Sequence, residues 1–191
     1  MSGLTFLKNF IKRPMHTGAV WPSSPYLSLE MTRHVGLERS SAVVELGPGT
    51  GAVTTHIVNA LPRSAKFFAV ELNCELCDCL RQKHPSVKIY NEDAADLGRL
   101  LKMESIESVD LVVSSLPWTV FPSKLQDRLL DVVTSSLRRG GYFVTFAYVQ
   151  GTVLPSGVRF KSQLKQRFTR VGRSHTEWRN IPPAFVYRCK K

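Results

Sequence analysis

The amino-acid sequence predicts an α/β fold, a mostly parallel sheet with helices on both faces. Three observations predict it. From residue 41 onward, short apolar runs alternate with longer segments of helical periodicity. The apolar runs are nearly continuous, as strands buried on both sides require. The first of them runs straight into a glycine-rich turn, Glu45-Leu46-Gly47-Pro48-Gly49-Thr50-Gly51, at the strand end where open parallel sheets hold their ligands.

The elements follow in order. Residues 4–13 are amphipathic: Leu4, Phe6, Leu7, Phe10 and Ile11 fall on one helical side, and Lys8, Asn9, Lys12 and Arg13 on the other, before Pro14 ends the segment. Thr17 to Ser24 is turn-rich. A helix is expected from about Pro25 to Val35. Strand and helix then alternate: strand Ala42–Leu46, helix Gly51–Leu61, strand Lys66–Leu72, helix Cys74–Lys83, strand Val87–Tyr90, helix Ala94–Met103, strand Val109–Ser114, helix Pro122–Leu137 and strand Gly141–Tyr148. In the tail, Val158–Arg167 reads as a helix. Phe168–Trp178 and Ala184–Arg188 read as strands joined across Asn180-Ile181-Pro182-Pro183, a connection short enough to make the pair antiparallel. The 191 residues suit one domain, with 1–24 an amphipathic and lid segment and 25–191 the core.

Composition narrows the function classes. Twenty-six Lys and Arg face fifteen Asp and Glu, a net charge of +11. That field attracts a polyanion, either nucleic acid or an anionic membrane surface. No apolar run reaches the ~18 residues that cross a bilayer, and no cleavage site follows a long apolar core at the start. A cytoplasmic, peripherally membrane-associated protein is the expectation. Zinc needs four converging ligands, usually from separated pairs. Cys74, Cys77 and Cys79 share one short helix, with Cys77 on the side of Cys74 and Cys79 pointing elsewhere, and Cys189 is near the C-terminus. No metal site is expected, and free thiols in a reducing compartment are.

The chemistry-bearing positions sit at successive strand ends. The spacing of Gly47, Gly49 and Gly51 is Gly-x-Gly-x-Gly, which lets a ligand approach the backbone closely. Glu71, twenty residues after Gly51, ends the second strand, where a carboxylate accepts two ribose hydroxyls. Asp93 follows the third strand in Asn91-Glu92-Asp93-Ala94, placed to accept from an adenine amino group. After the fourth strand comes Ser114-Ser115-Leu116-Pro117-Trp118.

With these residues the chain resembles the class I S-adenosylmethionine methyltransferases. The resemblance implies a Rossmann-like, seven-stranded sheet with an antiparallel last strand, and S-adenosyl-L-methionine as cofactor. It implies that Gly47, Gly49 and Gly51 pass the methionine part, with Glu45 near its amino group, Glu71 on the ribose and Asp93 on the adenine. Thr50, Leu72, Ala94 and Ser115 line the same cradle. The loop Ser115, Leu116, Pro117, Trp118 faces the reacting methyl group and is similar to the Asn-Leu-Pro-Tyr loop of rRNA adenine dimethylases, with Ser115 replacing the asparagine. Trp118 keeps an aromatic face for a cation or a base, and the carbonyls of Ser115 and Leu116 are expected to orient the acceptor amine. Lys12 to Ser24 and Trp178 to Tyr187 are similar to segments of bacterial phospholipid N-methyltransferases, in which the Thr17-Gly18-Ala19-Val20 stretch folds over the cofactor and the N-terminal helix lies on the membrane.

The expected activity is therefore transfer of methyl groups to the head-group amine of a membrane lipid such as phosphatidylethanolamine, with an anionic membrane surface as partner. A nucleic-acid adenine N6-methyltransferase and a non-catalytic binding module are the alternatives. His16, Tyr26 and Glu30 are the candidate proton acceptors, and none is singled out by spacing.

Overall fold

The computed structural model describes residues 23–191. The amphipathic segment 4–13, His16, and the Thr17 and Gly18 expected over the cofactor lie outside the described residues. Helix α1 (Pro25–Thr32) starts at Ser24, whose hydroxyl accepts the Leu27 N–H at 3.2 Å, with Pro25 in the first turn. It ends short of the expected Val35 because Arg33 turns extended and His34 takes φ 61°. Next come β1 (Ala42–Leu46), α2 (Ala52–Ala60), β2 (Lys66–Glu71), α3 (Cys74–Lys83), β3 (Lys88–Asn91), α4 (Leu97–Met103), β4 (Val109–Ser114) and α5 (Ser123–Ser136). The chain finishes with β5 (Leu137–Tyr148), α6 (Pro155–Arg167), β6 (Arg170–Arg173) and β7 (Ala184–Lys190). Asn73 begins α3 by accepting the N–H groups of Glu75 and Leu76 at 2.9 and 3.2 Å.

Among the described residues the strands form one seven-stranded sheet in the order β3-β2-β1-β4-β5-β7-β6. The pairs from β3 to β5 are parallel, and β7 runs antiparallel to both β5 and β6. Strand order reverses between β1 and β4, so the crevice beyond their carboxyl ends is where this architecture takes a ligand. All five residues of β1 are buried. Val44 and Leu46 face one side with Leu97, Leu129 and Phe160, whereas Val43 faces the other with Leu27, Met31 and Ile57. Helices α4, α5 and α6 thus cover one face, and α1, α2 and α3 the other.

Other boundaries also differ from expectation: α6 begins at Pro155 rather than Val158, and β7 runs on to Lys190 rather than Arg188. The helix expected from Ala94 opens as a tight turn over Ala94–Asp96 capped by Asp93. Strand β5 starts at Leu137 rather than Gly141, crossing the polar Arg138-Arg139-Gly140 with a register shift opposite β4. The strand expected over Phe168–Trp178 shrinks to Arg170–Arg173: the Ser174 N–H still donates to the Val186 carbonyl at 2.9 Å, but the Val186 N–H turns to the Ser174 hydroxyl at 2.9 Å instead of its carbonyl.

Candidate active site

The carboxyl ends of β1 to β4 bring the predicted residues together. Gly49 has φ +58°, and a Cβ built on it would meet nothing within 4 Å. The backbone there faces open space with no side chain in the way. Gly47 is small for another reason: a Cβ would lie 2.7 Å from Cδ2 of Leu116. The loop after β4 is therefore packed directly onto the glycine loop, and the Ser115 N–H donates to the Leu46 carbonyl at 2.9 Å. Gly51 caps α2, with Leu80 and His84 behind it. Thr50 is exposed, and Lys83 Nζ donates to its carbonyl at 3.3 Å.

Three carboxyl groups line the crevice. Glu45 is fully buried, one oxygen accepting the Thr54 hydroxyl at 2.7 Å and Oε1 accepting nothing among the described residues. Burial pushes its pKa up to about 8, with a smaller push from the Glu71 charge, against the opposing Thr54 bond. Glu71 accepts the Gly49 N–H at 3.1 Å and the Asn73 N–H at 2.9 Å, tying β2 to the glycine loop. Its pKa is also raised by burial, with these backbone donors opposing. Each Glu71 oxygen keeps a second lone pair for a hydroxyl. Asp93 is buried; Oδ1 accepts the Ala95 N–H at 2.9 Å and Oδ2 has no partner among the described residues. Leu72 is half-buried and Ala94 buried beside them.

A buried carboxyl oxygen without a donor is costly unless a ligand supplies one. Glu45 Oε1 calls for a cation and Asp93 Oδ2 for an N–H. S-adenosylmethionine carries an ammonium and an adenine amine, so the donor needs of this crevice fit it. A separate groove of about 840 Å3, lined by Arg33, His34, Arg39, Asp110 and Arg138, opens at the opposite end of the sheet. Its Asp110 is paired with Arg138, and it offers no comparable orphaned acceptor.

The acceptor loop departs from expectation at two positions. Trp118 does not offer a face to the acceptor: it is 1% exposed, stacked on Phe160 at 5.1 Å between centroids and edge-on to Phe143. Its indole N–H donates to the Ser114 hydroxyl at 3.0 Å. Leu116 points into the core, and its carbonyl accepts the Trp118 N–H at 2.9 Å, so that oxygen is partly spent inside the loop. Ser115 and Pro117 remain half-buried at the crevice. Two proton-acceptor candidates are otherwise engaged. Glu30 is ion-paired with Arg188 at 2.7 Å, and the Tyr26 ring lies 3.6 Å beneath the Arg179 guanidinium.

Sequence reasoning missed Gln126. Its Nε2 donates to the Trp118 carbonyl at 2.8 Å and the Ser156 carbonyl at 3.0 Å, fully buried. The signal was present: a glutamine inside the apolar stripe Leu125, Leu129, Leu130, Val133 of α5.

Comparison with known proteins closes the assignment. The ribosomal RNA adenine dimethylase family matches residues 24–145, well over half of the chain. The chain belongs to that family. This methyltransferase uses S-adenosylmethionine. It is 31% identical to an ornithine lipid N-methyltransferase of Singulisphaera acidiphila over 97% of this chain and 94% of that one. A ribosomal RNA small subunit methyltransferase A of Thermotoga petrophila is 29% identical over 60% of this chain and 42% of that one. The methyltransferase fold is shared with an O-methyltransferase from Bacillus cereus in complex with SAH, at TM-score 0.70 and 14% identity, covering 98% of this chain and 91% of that one. Among the described residues of this methyltransferase, no helix is long and apolar enough to cross a membrane and no cluster of His, Cys, Asp or Glu could hold a metal.

Proposed function

We propose that this methyltransferase acts on the head-group amine of a membrane lipid, at an anionic membrane surface. One observation carries the reading: the ornithine lipid enzyme aligns along nearly all of both chains, whereas the rRNA enzyme aligns over less than half of its own length. Ser115 in place of the asparagine of the nucleobase loop supports it. The family match and the net charge of +11 favour the second reading, an adenine N6-methyltransferase of RNA.

In this reading Glu45 Oε1 accepts the methionine ammonium, Glu71 the ribose hydroxyls and Asp93 Oδ2 the adenine amine, with Gly49 passing the methionine part. The bound cofactor supplies an electrophilic methyl group on a sulfonium. The chain aligns the acceptor and keeps the crevice dry. Ser115 and Pro117, both half-buried after β4, border the acceptor side in this reading, with the Ser115 hydroxyl accepting from the amine. Partial desolvation disfavours the ammonium form and leaves the amine lone pair free to attack.

The test is methyl transfer from labelled S-adenosylmethionine to phosphatidylethanolamine vesicles, ornithine-lipid vesicles or RNA offered together. Label is expected in an aminolipid; label in RNA alone would replace the lipid reading with the second one.

Glu45 also sets a pH dependence. Burial raises its folded pKa from the ordinary carboxyl value of 4.5 to about 8. The free folded chain therefore holds a proton that the unfolded chain loses. The stability linked to this group is complete below about pH 4.5 and is lost as pH rises through about 8. Pairing with an ammonium reverses the shift, so cofactor binding at pH 7 is expected to release up to about one proton. Calorimetry in buffers of different ionisation enthalpy measures this release. In Glu45→Gln it is expected to vanish, and an unchanged release would remove Glu45 from the cofactor site.

A further inference from the structure

The described surface exposes large apolar side chains on one side of the crevice. Trp178 is 73% exposed, Ile181 74% and Val153 78%, with Leu154, Val158 and Val120 also exposed. They lie on three separate segments held together at the carboxyl end of the sheet. The Val149 N–H donates to the Pro183 carbonyl at 3.0 Å, joining the segment after β5 to the loop before β7. The Ser156 hydroxyl donates to the Thr119 carbonyl, joining the start of α6 to the acceptor loop. The apolar residues thus border the same opening as Ser115 and Pro117. Asn180 inside that loop is 2% exposed and braced on Pro182, so Trp178 and Ile181 stand out from a fixed support. Folding stability gives no reason to display them, and such patches mark contact sites.

Charge and chain path name the occupant. Segments 118–128, 149–161 and 173–183 carry Lys124, Arg128, Arg159, Lys161, Arg173 and Arg179 against Asp127 and Glu177. Ser24, beside the start of the described residues, is held here, its N–H donating to Asn180 Oδ1 at 2.9 Å. The sequence ahead of it carries Lys8, Lys12 and Arg13. Aliphatic side chains and an indole ringed by cations match the boundary between acyl chains and anionic head groups. An RNA would be met by free cations and stacking rings. Arg159 and Arg179 are paired with Asp127 and Glu177, which leaves Lys124, Arg128, Lys161 and Arg173 to meet phosphates of either kind; the aliphatic character of most protruding groups is what favours the bilayer.

We propose that Trp178, Ile181, Val153 and Leu154 form a rim that inserts into the surface of an anionic bilayer and sets the crevice facing the lipid head groups. The inference rests on the lipid reading above and extends it to residues that reading does not use. The experiment is vesicle sedimentation with mixed phosphatidylcholine–phosphatidylglycerol vesicles, comparing the full chain with Trp178→Ser/Ile181→Ser and with Val153→Ser/Leu154→Ser. Each pair is expected to weaken partitioning by about tenfold or more, since each large apolar group buried contributes roughly 1.5–3 kcal/mol. Melting temperature, S-adenosylmethionine affinity and methylation of a water-soluble short-chain aminolipid are expected to stay at the level of the unsubstituted chain. Unchanged partitioning in both variants overturns the rim, whatever the acceptor proves to be. Loss of RNA binding with vesicle binding intact overturns it in favour of a nucleic-acid surface. Failure of the unsubstituted chain to methylate any aminolipid sinks the lipid reading, while the partition series still decides the rim on its own.

Discussion

Replacing Gly49 with valine is expected to weaken S-adenosylmethionine binding by about 100-fold or more while the chain stays folded. Two effects act together. A side chain at φ +58° sits in the left-handed region, which costs about 1–2 kcal/mol for a residue with a Cβ, and a β-branched residue suffers most there. The added atoms also enter the open space that the loop keeps clear. Each 1.4 kcal/mol is tenfold in affinity, so strain relieved by loop movement and a blocked cradle together reach that loss. Calorimetric titration measures it, with a urea melt as control for folding. Undiminished affinity would mean that the cofactor does not pass the backbone of Gly49.

Trp118→Ala is expected to act on the fold rather than on cofactor contacts. The side chain is enclosed by Phe121, Phe143 and Phe160 and anchored by Ser114. Truncating a buried aromatic of this kind costs about 3–5 kcal/mol, a large fraction of the stability of a domain. The midpoint of urea unfolding is expected to fall sharply, and Trp118→Phe to recover much of the loss. Near-native stability with a raised KM for the acceptor alone would place the indole in the acceptor site after all.

These outcomes separate what the residues disclosed in advance from what they did not. The alternation of apolar strands with amphipathic helices was legible because burial on both faces leaves apolar runs, as at residues 111–113 and 67–70. The glycine loop, Glu71 and Asp93 were legible because each follows a strand at the end where ligands bind. Trp118 was misread because an aromatic beside a loop suits either a core or a binding face, and only Phe143 and Phe160, brought in from two distant segments beside the nearby Phe121, decide between them. The start of β5 was hidden by Arg138, Arg139 and Gly140, which look like a turn until pairing with neighbouring strands carries them. The insertion of β7 between β5 and β6 is a non-local pairing that local pattern does not encode. The bond from Gly49 to Glu71 joins positions 22 residues apart and emerges only once β1 and β2 lie side by side.

Gln126 has a consequence for transplantation. Its amide fastens the acceptor loop at Trp118 to the entrance of α6 at Ser156, while Gly157 packs so tightly against the Gly151 carbonyl that a Cβ would lie 2.1 Å from it. The two segments therefore behave as a single casting. Exchanging residues 115–120 alone would strand a buried amide wherever the new loop moved the carbonyl at position 118 out of reach of Gln126. A chimera that keeps this joint intact would carry residues 115–120, position 126 and residues 149–157 together.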